Sequence, residues 1–71
     1  MSLESARRLL DGFGQHLWRC RKGAGLSSRA LGEELGMSHS IIIRIENGHW
    51  MPTPEEEQII REWMVHHPVR R

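Results

Sequence analysis

A single glycine, Gly36, separates two short helical patterns in the middle of this chain of 71 residues. Ser27 is a natural N-cap for the first pattern and Ser38 for the second, which ends at Asn47-Gly48. Glycine suits the connection because a tight turn between helices needs a positive φ, which only glycine adopts without strain. The sequence therefore predicts two short helices joined by a tight turn.

Small residues lie where these two helices would cross. Ala30 and Gly32, both in the first helix, permit a close approach to the second. A short helix, a tight turn and a second short helix make up a helix-turn-helix, in which the second helix enters the major groove of DNA. We therefore interpret residues 27–47 as a helix-turn-helix.

The rest of the chain also has helical spacing, and no segment alternates apolar and polar residues as a strand would. Ser2 is a plausible N-cap for a first helix, in which Gly12 and Gly14 each lower helix stability by about 1 kcal/mol relative to alanine. A kink or break near Asp11-Gly12 is therefore an open alternative to a straight helix. The apolar stripe of this helix consists of Ala6, Leu9, Leu10, Phe13, Leu17 and Cys20.

A capping box predicts the last helix, over about residues 54–67. Thr53 is the N-cap, Pro54 suits the first helical position, and Glu56 can bond back to the backbone of the N-cap. With this helix the predicted fold class is all-α, a compact bundle of four to five short helices that forms one domain over residues 1–71.

An apolar stripe on the last helix has two alternative interpretations. Ile60 and Met64 suit packing in the core of a single chain. Trp63, together with Trp50 and Ile59, equally suits a hydrophobic patch at a two-fold dimer interface, because a domain of this size can hardly cover so wide a stripe. Trp50, Ile59 and Trp63 are therefore the candidate dimer interface.

The composition excludes several classes of function. The single cysteine, Cys20, cannot form an internal disulfide and lies on the apolar stripe, where a small core residue is expected. The five histidines suggest no metal site, and no catalytic constellation or glycine-rich phosphate loop is present. No apolar run approaches the ~20 residues of a membrane span. We therefore expect a cytoplasmic, non-enzymatic protein without a metal, a cofactor or an evident small-molecule effector.

The formal net charge of +1 does not by itself predict nucleic-acid binding. The distribution of charge is more informative, since no carboxylate interrupts the chain between Asp11 and Glu33. The basic side chains in this interval suit either a nucleic-acid-binding surface or an ordinary solvated face. They are Arg19, Arg21, Lys22 and Arg29.

Residues 13–52 resemble the lambda-repressor/Cro-type helix-turn-helix family. The family pattern includes a Leu-Gly pair, a basic helix end, Gly-Leu-Ser, a Leu-Gly-Val-Ser turn and an Arg-Ile-Glu-x-Gly stretch followed by a proline. The resemblance implies a lambda-repressor-like, all-α fold and DNA binding as a class of function. The matching residues are Phe13-Gly14, Arg21-Lys22, Gly25-Leu26-Ser27, Leu31, Leu35-Gly36-Met37-Ser38, Ile42, Arg44-Ile45-Glu46-Asn47-Gly48 and Pro52.

Helical geometry divides the three consecutive isoleucines of the second motif helix. Ile42, with Ile45 one turn later, is expected to face the core, Ile41 lies at the boundary, and Ile43 faces outward. The resemblance implies base contacts on the outward face, where family positions commonly touch base edges and where Ile43 could pack on a thymine methyl group. The expected base contacts are His39, Ser40, Ile43 and Arg44.

Contacts to the DNA backbone and one ion pair are implied by the same resemblance. Arg21 and Glu46 match a pair that joins the first helix to the end of the recognition helix. Ser28 and Asn47 match family positions that contact phosphate. The full set of expected backbone contacts is Ser28, Arg29, Ser38, Asn47 and His49.

These features predict a sequence-specific, DNA-binding transcriptional regulator that resembles phage Cro-like repressors and the controllers of restriction-modification genes. We expect a repressor or autoregulator that binds a pseudo-palindromic operator in double-stranded DNA as a homodimer. The recognition face is unusually apolar, since positions that are often Gln, Thr and Ser in relatives are His39, Ile41 and Ile43 here. An antitoxin with a toxin partner and a protein-interaction module on the same fold are the alternatives.

Overall fold

A computed structural model describes the backbone of residues 3–69 and the side chains of residues 12–69. This part of the chain contains helices and no strand, which confirms the predicted all-α fold class. No helix within it is long and apolar enough to cross a membrane. In chain order the helices are α1 (Leu3–Gly23), α2 (Ser28–Leu35), α3 (His39–Glu46) and α4 (Pro54–His66).

The helix α1 runs without interruption through Asp11-Gly12, so a break at this point is excluded. Gly14 explains why glycine is present: a Cβ atom here would overlap the carbonyl oxygen of Ile45 and lie 2.9 Å from that of Glu46. Glycine therefore serves the close approach of α1 to the end of α3 and not a kink. The predicted N-cap of α1, Ser2, lies outside the described residues.

The three shorter helices begin at their predicted N-caps. The Ser27 hydroxyl accepts a hydrogen bond from the backbone N–H of Ala30 at 3.0 Å, and the Ser38 hydroxyl accepts one from Ile41 at 3.3 Å. Thr53 and Glu56 form the predicted capping box, because each side chain accepts a hydrogen bond from the backbone of the other. The local sequence thus fixes the start of α2, α3 and α4.

The turn of the helix-turn-helix depends on two glycines. Gly36 has a φ of +68° and forms the C-cap of α2, as predicted. A Cβ atom on Gly32 would lie 2.5 Å from the carbonyl oxygen of Met37, which confirms that a small residue is needed where the chain passes back over α2. Gly32 thus allows the close approach of the chain to α2, while Gly36 supplies the positive φ of the turn and has nothing within 4 Å of an added Cβ atom.

One apolar core joins all four helices. Ile42 and Ile45 of α3 lie in it with exposed fractions of 0% and 1%, and Trp63 of α4 is 7% exposed. Among the side chains of residues 12–69, the buried apolar ones are Leu17, Cys20, Leu31, Ile42, Ile45, Ile60, Trp63 and Met64.

The three residues of the candidate dimer interface differ in burial. Trp63 is buried within a single chain, so its placement on a dimer surface needs correction: the indole belongs to the core cluster, and the His67 imidazole stacks on it with the ring centroids 4.3 Å apart. Trp50 is partly buried against the core, and its indole N–H faces a Glu56 carboxylate oxygen at 3.4 Å. Ile59, 40% exposed, is the member of the set that presents a large apolar side chain to the surface.

Candidate nucleic-acid interface

The exposed face of α3 carries the four side chains that were predicted to touch bases. His39, Ser40, Ile43 and Arg44 are all exposed, and Ile43 has 40% of its surface accessible. None of the four side chains forms a hydrogen bond with another described residue. Their polar groups are therefore free for a ligand, and helical geometry has brought them onto one surface.

The chemistry of this face suits the edge of a base pair. The Arg44 guanidinium can donate two parallel hydrogen bonds to one guanine, and the Ser40 hydroxyl can both donate and accept. The imidazole of His39 can also donate from one ring nitrogen and accept at the other. The apolar Ile43 between them has only van der Waals contact to offer, and among the bases it is the thymine methyl group that suits it.

A buried ion pair fixes the end of α3 to α1. The Arg21 Nε donates to a Glu46 carboxylate oxygen at 2.7 Å and the Nη2 donates to the other oxygen at 3.0 Å, while the Nη1 donates to the Leu26 carbonyl oxygen at 3.0 Å. The two side chains are only 9% and 5% exposed. The structure thus joins the two residues of the expected pair in a bidentate arrangement, which holds the exposed face of α3 in one orientation.

The side chains predicted to contact the DNA backbone lie around the ends of the motif helices. Ser28 is the first residue of α2 and Arg29 follows it, while Asn47 and His49 are exposed beyond the end of α3. Ser38 caps α3, so its hydroxyl oxygen accepts one bond and its O–H remains available to donate. Helix N-termini and free donors of this kind are typical phosphate ligands.

An open groove of about 470 Å³ connects some of these residues across the turn. Arg29, Ser38 and His39 line it, so two predicted backbone contacts and one predicted base contact share a surface. Glu33 also lines the groove, although sequence reasoning gave it no role. A carboxylate repels an anion, so in this groove Arg29 and not Glu33 has the charge that suits a phosphate.

A second groove, of about 340 Å³, includes Gln15 and Trp18, to which the sequence analysis gave no role. Gln15, Trp18 and Arg19 of α1 line it together with Glu46 and Asn47 from the end of α3. The sequence does show that Gln15, Trp18 and Arg19 share one face of α1, because they stand at helical spacing. Their proximity to Asn47 is a property of the fold and could not be read from the chain.

The cysteine has one polar neighbour that the sequence reasoning also missed. His16 lies four residues before Cys20, and its Nε2 is 3.9 Å from the Cys20 Sγ. Burial raises the pKa of the Cys20 thiol, because a thiolate would lose its hydration. Among the described residues no three candidate ligands cluster as a metal site would require.

Comparison with known families supports the geometry. A family model described as a helix-turn-helix domain matches residues 12–60. A search of curated proteins returned no match, and a search of solved structures returned none either. The matched segment contains the described C-terminal half of α1, all of α2 and α3, and the first half of α4.

Proposed function

This chain belongs to the helix-turn-helix domain family, and on that premise we propose that it is a sequence-specific transcriptional regulator. The observation that carries the proposal is the division of α3, whose Ile42 and Ile45 are buried while a polar and apolar face is left open beside them. In this proposal α3 enters the major groove of double-stranded DNA.

The base contacts are assigned by the chemistry of the open face. Arg44 donates two hydrogen bonds to guanine O6 and N7, while His39 and Ser40 bond to neighbouring base edges. Ile43 packs on a thymine methyl group and so favours an A·T pair at its position. Since both polar and apolar contacts contribute, the preferred site contains G·C and A·T pairs in fixed order.

Contacts to phosphate then position α3 in the groove. The proposed contacts come from Ser28 and Arg29 at the start of α2, from the Ser38 hydroxyl, and from Asn47 and His49 beyond α3. These contacts contribute affinity without sequence preference, and the cationic Arg29 among them makes binding dependent on salt.

We further propose a homodimer of the lambda-repressor/Cro type on a pseudo-palindromic operator. The exposed Ile59 of α4, with the partly buried Trp50, is the proposed contact between protomers. Repression or autoregulation is the proposed outcome, since a bound dimer blocks polymerase by occupying the site and needs no further contact.

Selection of bound sites from random duplex DNA tests the proposal directly. The purified chain should enrich one motif with inverted half-sites whose centres lie about 34 Å, roughly one helical turn, apart. The same selection with Arg44→Ala should lose preference at one base pair of each half-site. A pool that shows no enrichment over its starting composition contradicts sequence-specific binding.

A protein-interaction module on the same fold is the alternative that one observation favours. Ile43 is 40% exposed in the middle of the recognition face, where a buried interface with another protein would use an apolar side chain well. An antitoxin is the special case in which the partner is a toxin. Specific binding to a DNA operator should weaken as salt rises, because phosphate contacts release counterions. A response to duplex DNA that does not change with salt would therefore favour the protein-interaction module.

A further inference from the structure

We propose that four exposed residues of α1 bind DNA phosphates beside those contacted by Asn47. We call this set the α1 strip, and it consists of Gln15, Trp18, Arg19 and Lys22. The inference rests on the proposed DNA-binding function and deepens it, since it adds a contact surface outside the helix-turn-helix. It assigns a role to the second groove, which the helix-turn-helix alone leaves unused.

The α1 strip is continuous along one face of the helix. Its members stand at positions i, i+3, i+4 and i+7, which lie on one side of an α-helix, and all four side chains are exposed. Three of them line the groove of about 340 Å³ that Asn47 closes from the end of α3. The strip and the recognition helix therefore share one surface, and a DNA strand that passes Asn47 reaches the strip next.

The charges on this surface suit a phosphate chain. Glu46 also borders the groove, but Arg21 binds both of its carboxylate oxygens, so its negative charge is compensated. Arg19 and Lys22 form no ion pair with another described residue. Between Gly12 and Gly23, α1 contains no acidic side chain. Two uncompensated cations thus lie on the strip, and one of them, Arg19, lines the groove together with Gln15.

Trp18 gives the strip a feature that an ordinary solvated helix face lacks. Its indole is 47% exposed, and the Lys22 Nζ lies 5.8 Å from the centre of the ring. This cation–π contact restrains the flexible lysine, which lowers the entropy lost when the ammonium binds a phosphate. The indole N–H is a donor for a second phosphate, and the ring can pack on deoxyribose. The cations and donors favour the DNA backbone over an apolar protein segment as the occupant.

Variants that replace one cation by glutamine test the strip through the salt dependence of DNA binding. Arg19→Gln and Lys22→Gln should each remove about one phosphate contact per chain, so the slope of log affinity against log salt should become smaller by about 0.9 per chain. When salt is raised from roughly 50 to 200 mM, the affinity of each variant should therefore fall by a factor about threefold smaller than the factor for the original chain.

A matched variant separates contact from net charge. Gln58→Glu on the exposed surface of α4 also lowers the net charge by one, but it lies outside both grooves. It should leave the salt slope unchanged. Equal effects of Gln58→Glu and Arg19→Gln would overturn the proposal, because long-range charge would then explain both.

Tryptophan fluorescence gives a second readout that does not depend on the stability of a charge variant. Trp18 is the most exposed of the three tryptophans, so operator DNA should protect a large part of the emission from acrylamide quenching. In Trp18→Phe most of this protection should be lost, while the variant should fold as well as the original chain because the ring lies outside the core. Protection of the same size in Trp18→Phe as in the original chain would place DNA elsewhere.

The two levels of the proposal fail in different ways. The α1 strip alone is overturned if Arg44→Ala loses specific binding while the strip variants keep the original salt slope and the original protection from acrylamide. If the original chain binds no duplex at any salt concentration, the proposed function fails and the strip proposal fails with it. If an acidic protein protects Trp18 from acrylamide quenching and DNA does not, the inference is overturned and the strip binds a protein partner.

Discussion

At the scale of single residues, small differences in position on α3 separate two tasks. Arg44 is exposed and its guanidinium forms no hydrogen bond with another described residue, whereas Glu46 is held by two hydrogen bonds from Arg21. The Arg44 guanidinium can therefore exchange its bound water for a base, whereas the Glu46 carboxylate already binds Arg21 within the fold. Substitutions at these two positions should affect different measurements.

Arg44→Ala should weaken specific binding by about 1–3 kcal/mol, because a bidentate contact to one base is lost. The unfolding free energy should change little, since the side chain is exposed. A mobility-shift titration on the selected operator and on single-base variants measures both the loss and the relaxed preference. Unchanged operator affinity would remove Arg44 from the readout.

Cys20 should make stability depend on alkaline pH. Burial raises the pKa of its thiol in the folded chain, so the folded state holds the proton more tightly than the unfolded state. The resulting stabilisation is complete below the unfolded pKa of about 8.5 and is lost as pH rises through the folded pKa. Denaturant titrations at increasing pH should show a steeper decline for the original chain than for Cys20→Ala, and parallel declines would contradict this assignment.

At the scale of helices, the local signals were the predictable ones. Ser27, Ser38 and Thr53 cap the helices that follow them because a cap is decided by residues three positions apart. The role of Gly14 was not predictable, since it depends on Ile45, which is remote in sequence and meets α1 only in the fold. A glycine pattern alone cannot distinguish a kink from a close contact between helices.

The two glycines of α1 therefore give opposite predictions. Gly14→Ala should destabilise the fold by more than 1 kcal/mol, because its Cβ would overlap the Ile45 carbonyl oxygen and force α1 away from α3. Gly12→Ala should stabilise the fold by about 1 kcal/mol, since the position is helical and nothing lies within 4 Å of the added atom. Thermal unfolding of the two variants provides the comparison. Similar melting temperatures for both would show that α1 and α3 can separate without loss of stability.

The candidate site was predictable to a similar extent. The sequence placed His39, Ser40, Ile43 and Arg44 on one helix face because helical periodicity is a local property. The groove beside Asn47 could not be predicted, since it forms only where α1 passes the end of α3.

At the scale of the whole molecule, packing assigns the large apolar side chains to core or surface. Trp63 is 7% exposed and belongs to the core, so Trp63→Asp should unfold the chain and cannot report on assembly. Ile59 and Val65 are 40% and 76% exposed on the same helix, and only Ile59 lies in the proposed dimer contact. The stripe on α4 could not show that Trp63 is buried while Ile59 is exposed, because burial depends on which parts of the fold cover the helix.

Ile59→Asp should convert the proposed homodimer to a monomer, because a charge would be buried between the protomers. Val65→Asp is the matched control on α4 and should leave the sedimentation coefficient unchanged. Sedimentation velocity at a concentration where the original chain is dimeric makes the comparison. A dimer that persists in Ile59→Asp would place the contact on another surface.

The bidentate contact between Arg21 and Glu46 has a thermodynamic consequence for complex formation. Since this pair and the buried isoleucines already order α3 in the isolated chain, the recognition helix does not have to fold when DNA arrives. The heat-capacity change on binding should then reflect only the surface covered by DNA, without the larger contribution that accompanies coupled folding.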